Sequence, residues 1–200
     1  MAADKPDASG NPPSAPELQA EIARLTDELI EARCRIVELE NRAELDPLLE
    51  ILNRRGFERE LTRSISFVKR YGTKAALVYI DLDGFKAIND EHGHAAGDAL
   101  LKAVARQLTG HVRASDTVAR LGGDEFAVLM WNVDVIHAIA KARELEGVIA
   151  AASASAGDAV THYSVGASAG VAVLDDDATP GSIIDAADKG MYARKKERRG

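Results

Sequence analysis

The stretch AALVYIDLD, residues 75–83, decides the fold: six apolar or aromatic side chains run without interruption from Ala75 to Ile80 and end in two aspartates two residues apart. A run of that length, flanked by polar residues, is expected of a strand covered on both faces, with Asp81 at its exit. Upstream, Asn53 can cap a helix through about Tyr71, carrying Phe57, Leu61, Ile65 and Val68 at helical spacing and ended by Gly72. Downstream, a short helix over Phe85–Glu91 leads into a longer one from Asp98 to about His111. Thr117–Leu121 and Phe126–Trp131 read as two strands joined at Gly122-Gly123, a hairpin with Asp124 and Glu125 at its tip. A helix over about Val133–Ala152, a strand over Ser168–Leu174 and a last helix over about Ser182–Lys196 complete the order. The expected fold is an α/β (α+β) sandwich of ferredoxin-like type, βαββαβ, with an extra helix in front.

Before this unit the pattern differs. Residues 1–15 are rich in Pro, Gly, Asp and Ser and read as a disordered arm. Over 16–45, Leu18, Ile22, Leu25, Leu29, Ala32, Ile36, Leu39 and Ala43 recur at alternating steps of four and three, a heptad seam. In a parallel dimer Glu28 would face Arg33 and Arg35 would face Glu40, both attractive pairs. A lone amphipathic helix is the alternative. The third segment, 46–200, is the globular domain.

With 25 Lys and Arg against 32 Asp and Glu, the chain carries a net charge of −7. That argues against sequence-independent adhesion to nucleic acid or to an anionic membrane, so a bound metal would have to supply positive charge to any nucleotide site. No apolar run approaches the ~20 residues of a membrane helix. A single cysteine, Cys34, and no apolar leader point to a reducing, cytoplasmic setting without direct membrane contact.

Four acids, Asp81, Asp83, Asp124 and Glu125, would be gathered by a sheet that pairs their strands. Hard oxygen donors of this kind suit magnesium or manganese. Each short motif alone has a plainer reading, Asp-Leu-Asp as a solvated turn and Gly-Gly-Asp-Glu as a tight hairpin. Together YIDLDGFKAINDEHGHAAGDAL (79–100) and RLGGDEF (120–126) resemble the two signatures of the GGDEF family of diguanylate cyclases. LNRRGF (52–57), SAGVA (168–172) and ADKGMYARK (187–195) follow in that family's order.

The resemblance implies an enzyme that condenses two GTP into cyclic di-GMP in a homodimer, with two magnesium (or manganese) ions per active site. Asp81, the main-chain carbonyl of Leu82 and Asp124 would hold the metals. Asp124 would also receive the hydroxyl proton, with Glu125 as its neighbouring acid. Lys86, Lys195 and Arg199 would meet phosphates, Gly122 and Gly123 would let backbone approach the nucleotide or take positive φ, and Asn89 with Asp98 would read guanine. Phe85 and His94 match positions beside the nucleotide. Arg113 and Asp116 match an RxxD site that binds the product as an allosteric inhibitor; a surface Arg-Asp pair is the alternative. A non-catalytic cyclic di-GMP receptor and a dimeric scaffold are the other functions open to such a chain. One departure stands at the joint, where Asp46-Pro47-Leu48-Leu49-Glu50 replaces DxLTG, and losing the glycine would let helix run on through it. Gly190 replaces a usual alanine, and Arg198 and Gly200 replace the closing Gly and Asn.

Overall fold

The structure, a computed structural model, describes residues 14–42, 44–152 and 163–199. The chain divides into two compact units, residues 1–42 and 43–200. Among the described residues the first contains one helix, α1 (Ala15–Arg42). Ser14 caps it: its backbone N–H and hydroxyl both donate to the Glu17 carboxylate, at 2.7 and 2.8 Å. The Glu17 half of a capping box is thus present, and the helix starts one residue before Pro16. The proposed arm therefore loses Ala15 to the helix, and its residues 1–13 lie outside the described part, as does Ala43 of the seam.

The second unit follows the order β1 (Leu52–Asn53), α2 (Arg54–Tyr71), β2 (Ala75–Asp83), α3 (Phe85–His92), α4 (His94–Gly110), β3 (Thr117–Arg120), β4 (Glu125–Trp131), α5 (Val135–Ala151), β5 (Gly166–Val173) and α6 (Pro180–Arg199). Its sheet is ordered β1-β3-β4-β2-β5. β2 is antiparallel to both its neighbours, β3 and β4 form the hairpin, and β1 lies parallel to β3. The last four strands give the expected ferredoxin-like order, to which the very short β1 adds an edge.

Alternation along β2 makes two cores. Ala76, Val78, Ile80 and Leu82 pack with Leu100, Leu101, Val104 and Leu108 of α4 and with Ala138, Leu145 and Ile149 of α5. Ala75, Leu77 and Tyr79 pack with Phe57, Leu61, Ile65 and Val68 of α2 and with Ile183, Ala187 and Met191 of α6. Burying each such large side chain contributes about 1.5–3 kcal/mol relative to leaving it in water. Both faces are covered, which is why the β2 sequence reads as a continuous apolar run.

Capping follows the sequence at α2. The Asn53 side chain accepts from the Gly56 N–H at 3.0 Å, and Gly72, at φ +64°, donates to the Val68 carbonyl at 2.8 Å. β2 runs through Asp83 rather than stopping at Ile80, because pairing continues from Asp81 to Glu125 and from Asp83 to Gly166. α4 begins at His94, so Asp98 lies inside the helix, past its first turn, and does not start it.

The joint differs from expectation. Helix does not run through it: Pro47–Leu49 form a turn, and Glu50 takes φ +58°, the left-handed conformation that favours glycine. Local bonds impose the turn. The Asp46 side chain accepts from the N–H groups of Leu48 and Leu49, while the backbone pairs Asp46 N–H with Ile51 and Glu50 N–H with Asp46. That set of bonds outweighs the better helix propensity of Leu and Glu. Nothing in the structure requires glycine at 190, since a methyl there would stand 3.6 Å from the Gly170 Cα, at ordinary contact distance. Arg198 lies in α6 with its side chain outside the described part, as does Gly200 entirely.

Candidate active site

Period-two alternation puts Asp81 and Asp83 on the same face of β2 as Leu77 and Tyr79, the face covered by α2 and α6. There Lys195 of α6 meets them. Its ammonium bonds Asp81 and stands 3.4 Å from Asp83 Oδ1, and Ser168 of β5 donates to Asp83 Oδ2 at 2.9 Å. Asp83 Oδ1 is buried and accepts no hydrogen bond; the Lys195 contact is ionic only.

Burial pushes the Asp81 carboxyl above its ordinary range. Lys195 pulls it down, and Asp124 and Asp83 push it up again. Burial on its own would lower the Lys195 ammonium, but Asp81 and Asp83 hold it above its usual value. Among the described side chains one ammonium thus serves two carboxylates, with the Asp124 charge beside them, and the corner remains short of positive charge.

The hairpin tip is pinned to this corner. The Leu82 N–H donates to the Asp124 carbonyl at 3.1 Å, and the Leu82 side chain is buried in the α4/α5 core, so only its main chain faces the site. Arg120 holds the turn from behind, donating to the carbonyls of Gly122 and Gly123 at 2.9 and 2.8 Å and pairing with Asp46 at 3.1 Å. Arg54 donates to the Leu121 carbonyl at 2.9 Å and reaches Glu125 at 3.5 Å. Glu125 also faces Tyr79, whose phenol is raised far above its ordinary value by burial first and by Glu125 second.

The four acids do not form one cage. Asp81 and Asp83 converge on Lys195, whereas Glu125 is drawn toward Arg54 and Tyr79. Among the described residues, no three His, Cys, Asp or Glu side chains are placed to hold a metal. A site of two carboxylates and one carbonyl needs no such trio. The corner nevertheless suits a hard divalent cation: its donors are oxygens, its negative charge is in excess, and Asp83 Oδ1 lacks a hydrogen bond.

Neither Gly122 nor Gly123 has positive φ. A methyl at Gly122 would lie 2.4 Å from the Glu125 carboxylate, so a side chain there would displace that carboxylate from its present position. Gly84, at φ +85°, opens α3. Phe85 is buried beneath the α3–α4 pair, while Lys86, His94 and Asp98 are exposed on it. Asn89 is half-buried against Gly97, where a methyl would meet its Oδ1 at 2.0 Å, so a glycine beside Asp98 lets Asn89 lie close to that position. Arg199 falls in α6, its side chain outside the described part. Sequence reasoning missed Arg54, Tyr79, Arg120 and Ser168 as supports. Only the two-residue alternation that places Tyr79 and Asp81 on one face could have signalled one of them.

Arg113 and Asp116 lie at the other end of the β3–β4 hairpin, on a cleft of about 660 Å3 that Lys74, His111, Trp131 and Lys141 also line. Both Asp116 oxygens accept backbone N–H groups, from Arg113 at 3.0 Å and Trp131 at 3.1 Å. The carboxylate thus has a structural duty besides any ligand.

The family profile described as "Diguanylate cyclase, GGDEF domain" matches residues 43–200. The chain belongs to the GGDEF family. Among its relatives is the diguanylate cyclase TpbB of Pseudomonas aeruginosa, 37% identical over 189 residues, covering 92% of this chain and 41% of TpbB. Another is the probable diguanylate cyclase DgcE of Escherichia coli, 38% identical over 183 residues, covering 86% of this chain and 16% of DgcE. The chain thus spans well under half the length of these curated relatives. Among solved structures, a sensory box/GGDEF family protein from Caulobacter crescentus aligns with a TM-score of 0.69 at 38% identity, over 77% of this chain and 99% of that one. The coiled coil and GGDEF domain of DgcB from the same organism, in complex with c-di-GMP, aligns with a TM-score of 0.78 at 25% identity, over 90% and 95%.

Proposed function

We propose that this GGDEF protein is a diguanylate cyclase, joining two GTP into cyclic di-GMP with release of pyrophosphate. The observation that carries the reading is the corner itself, where Asp81 and Asp83 leave the sheet beside the Asp124 turn with more negative charge than Lys195 balances. Magnesium or manganese bound there by Asp81, the Leu82 carbonyl and Asp124 would acidify the attacking hydroxyl and neutralise charge on the phosphoryl oxygens.

The chain's own residues supply the rest. Asn89 and Asp98 orient guanine, Asp98 accepting from its N–H donors and Asn89 meeting the remaining edge. Lys86 and Lys195 hold the phosphates as point charges, with Arg199 beyond them on α6. Asp124 accepts the proton of the 3′-hydroxyl as that oxygen attacks the α-phosphate of the other GTP, and pyrophosphate leaves in line. Each domain presents one nucleotide, so the active form is a homodimer, brought together by the exposed seam of α1. Product binding by Arg113 and Asp116 would inhibit from the far end of the hairpin, the guanidinium fork meeting phosphate or guanine.

Purified protein with GTP and magnesium is expected to release pyrophosphate and cyclic di-GMP. Asp124→Ala should abolish both while leaving the melting temperature essentially unchanged. A wild-type chain that binds GTP and yields no product would overturn the reading.

A further inference from the structure

α6 lies directly on β5. A methyl at Gly170 would meet the Ala187 carbonyl oxygen at 2.0 Å and the Met191 nitrogen at 2.2 Å, so the two backbones touch. Ile183, Ala187 and Met191, four residues apart, form the buried stripe of α6. Lys195 is the next member of that series and carries the stripe into the acid corner. Met191 is the last buried residue of the helix among the described ones. Beyond it, ionic contacts hold the helix.

One of those contacts is separate from the acids. Glu146 of α5 is buried, and its carboxylate receives Arg194 side-on, Nε to Oε1 at 2.8 Å and an Nη to Oε2 at 2.9 Å. The same Oε1 accepts the Ala169 N–H of β5 at 2.9 Å. α5 and α6 cover opposite faces of the sheet and β5 is its edge strand, so this pair closes around that edge. It ties three elements together at the residue next to Lys195.

We propose that Glu146 and Arg194 are positioning residues that clamp the end of α6 to the β5 edge and so fix Lys195 over Asp81 and Asp83. The inference rests on reading that corner as the site of the nucleotide phosphates. When a nucleotide enters, Lys195 must exchange carboxylate for phosphate, which releases the contact that otherwise holds it. The clamp keeps the helix end in place through that exchange. A bidentate guanidinium–carboxylate pair is suited to this because its two parallel bonds fix orientation as well as distance.

The test is equilibrium binding of a GTP analogue with a non-cleavable α–β bridge, in magnesium, alongside product formation from GTP. The double variant Glu146→Gln/Arg194→Met removes both charges together, avoiding a stranded buried carboxylate, and keeps an acceptor for Ala169. Its affinity should fall roughly three- to tenfold, on the order of one weakened charge-assisted hydrogen bond. In a Lys195→Ala background the same double substitution should change nothing. Unchanged affinity in the double variant, or an equal loss with and without Lys195, would overturn the clamp. If the double variant unfolds, Arg194→Lys, which keeps the charge without the fork, should lose affinity only in the presence of Lys195, and equal loss in both backgrounds again overturns it. A wild type that binds the analogue but makes no product removes the proposed function and leaves the clamp standing; a wild type that does not bind it removes both.

Discussion

At the scale of single residues, the chain departs from local expectation where hydrogen bonds dictate backbone shape. Glu50 occupies a left-handed conformation because the Asp46 turn closes around it, and a side chain there costs about 1–2 kcal/mol. Glu50→Gly should therefore raise stability by about 1 kcal/mol, the gain reduced by glycine's greater freedom when unfolded, as read by denaturant unfolding at unchanged m-value. Nothing in Leu49-Glu50 signals this, since both residues favour helix. Gly122 misleads in the opposite direction. Its glycine suggests a left-handed turn, but its φ is not positive and its open side is occupied by the Glu125 carboxylate. The acids themselves were legible, because ending an apolar run in Asp-Leu-Asp leaves both carboxylates on one face. Their partners were not: Lys195 is 114 positions from Asp81 in the chain, and only the docking of α6 brings them together.

At the scale of elements, α2 could be placed from its Asn53 cap, whereas the two-residue β1 could not be placed, since no periodicity survives in so short a segment. α5 shows the value of a cap. Asp134 accepts the His137 N–H at 2.9 Å, and that bond first, with the His137 ring second, holds its carboxyl below the usual range. A depressed carboxyl contributes stability that is complete above the ordinary carboxylate pKa and lost as pH falls through the lowered one. Asp134→Ala should thus lower the melting temperature at pH 7, with the gap to wild type closing below about pH 4. A constant gap across that range would show that the charge contributes nothing. α4 was placed late from the sequence because Gly93 and Gly97 read as punctuation, whereas Gly93 alone opens the helix and Gly97 sits inside it to make room for Asn89.

At the scale of the whole molecule, the heptads of α1 leave Leu18, Ile22, Leu25, Leu29, Ile36 and Leu39 about half exposed or more in a single chain. Arg24 and Arg35 bond acids within the same helix, Glu21, Glu28 and Glu31, which stabilise it only weakly at the surface. A second chain would cover the apolar stripe. Leu29→Glu should shift sedimentation toward monomer and make specific activity rise steeply with protein concentration, while the globular unit's thermal transition stays in place. The sandwich was readable because β2 is apolar on both faces, and that same strand also acts as a ruler. Every residue from Ala75 to Asp83 is matched across to β4, β5 or both. One residue inserted before Asp81 would turn it into the α4/α5 core and present a leucine to Lys195. Apolar replacement of similar size is tolerable from Ala75 to Ile80; a change of length by an odd number is not. The chemistry depends on parity as much as on composition, and a lineage can drift in letters here only while it keeps count.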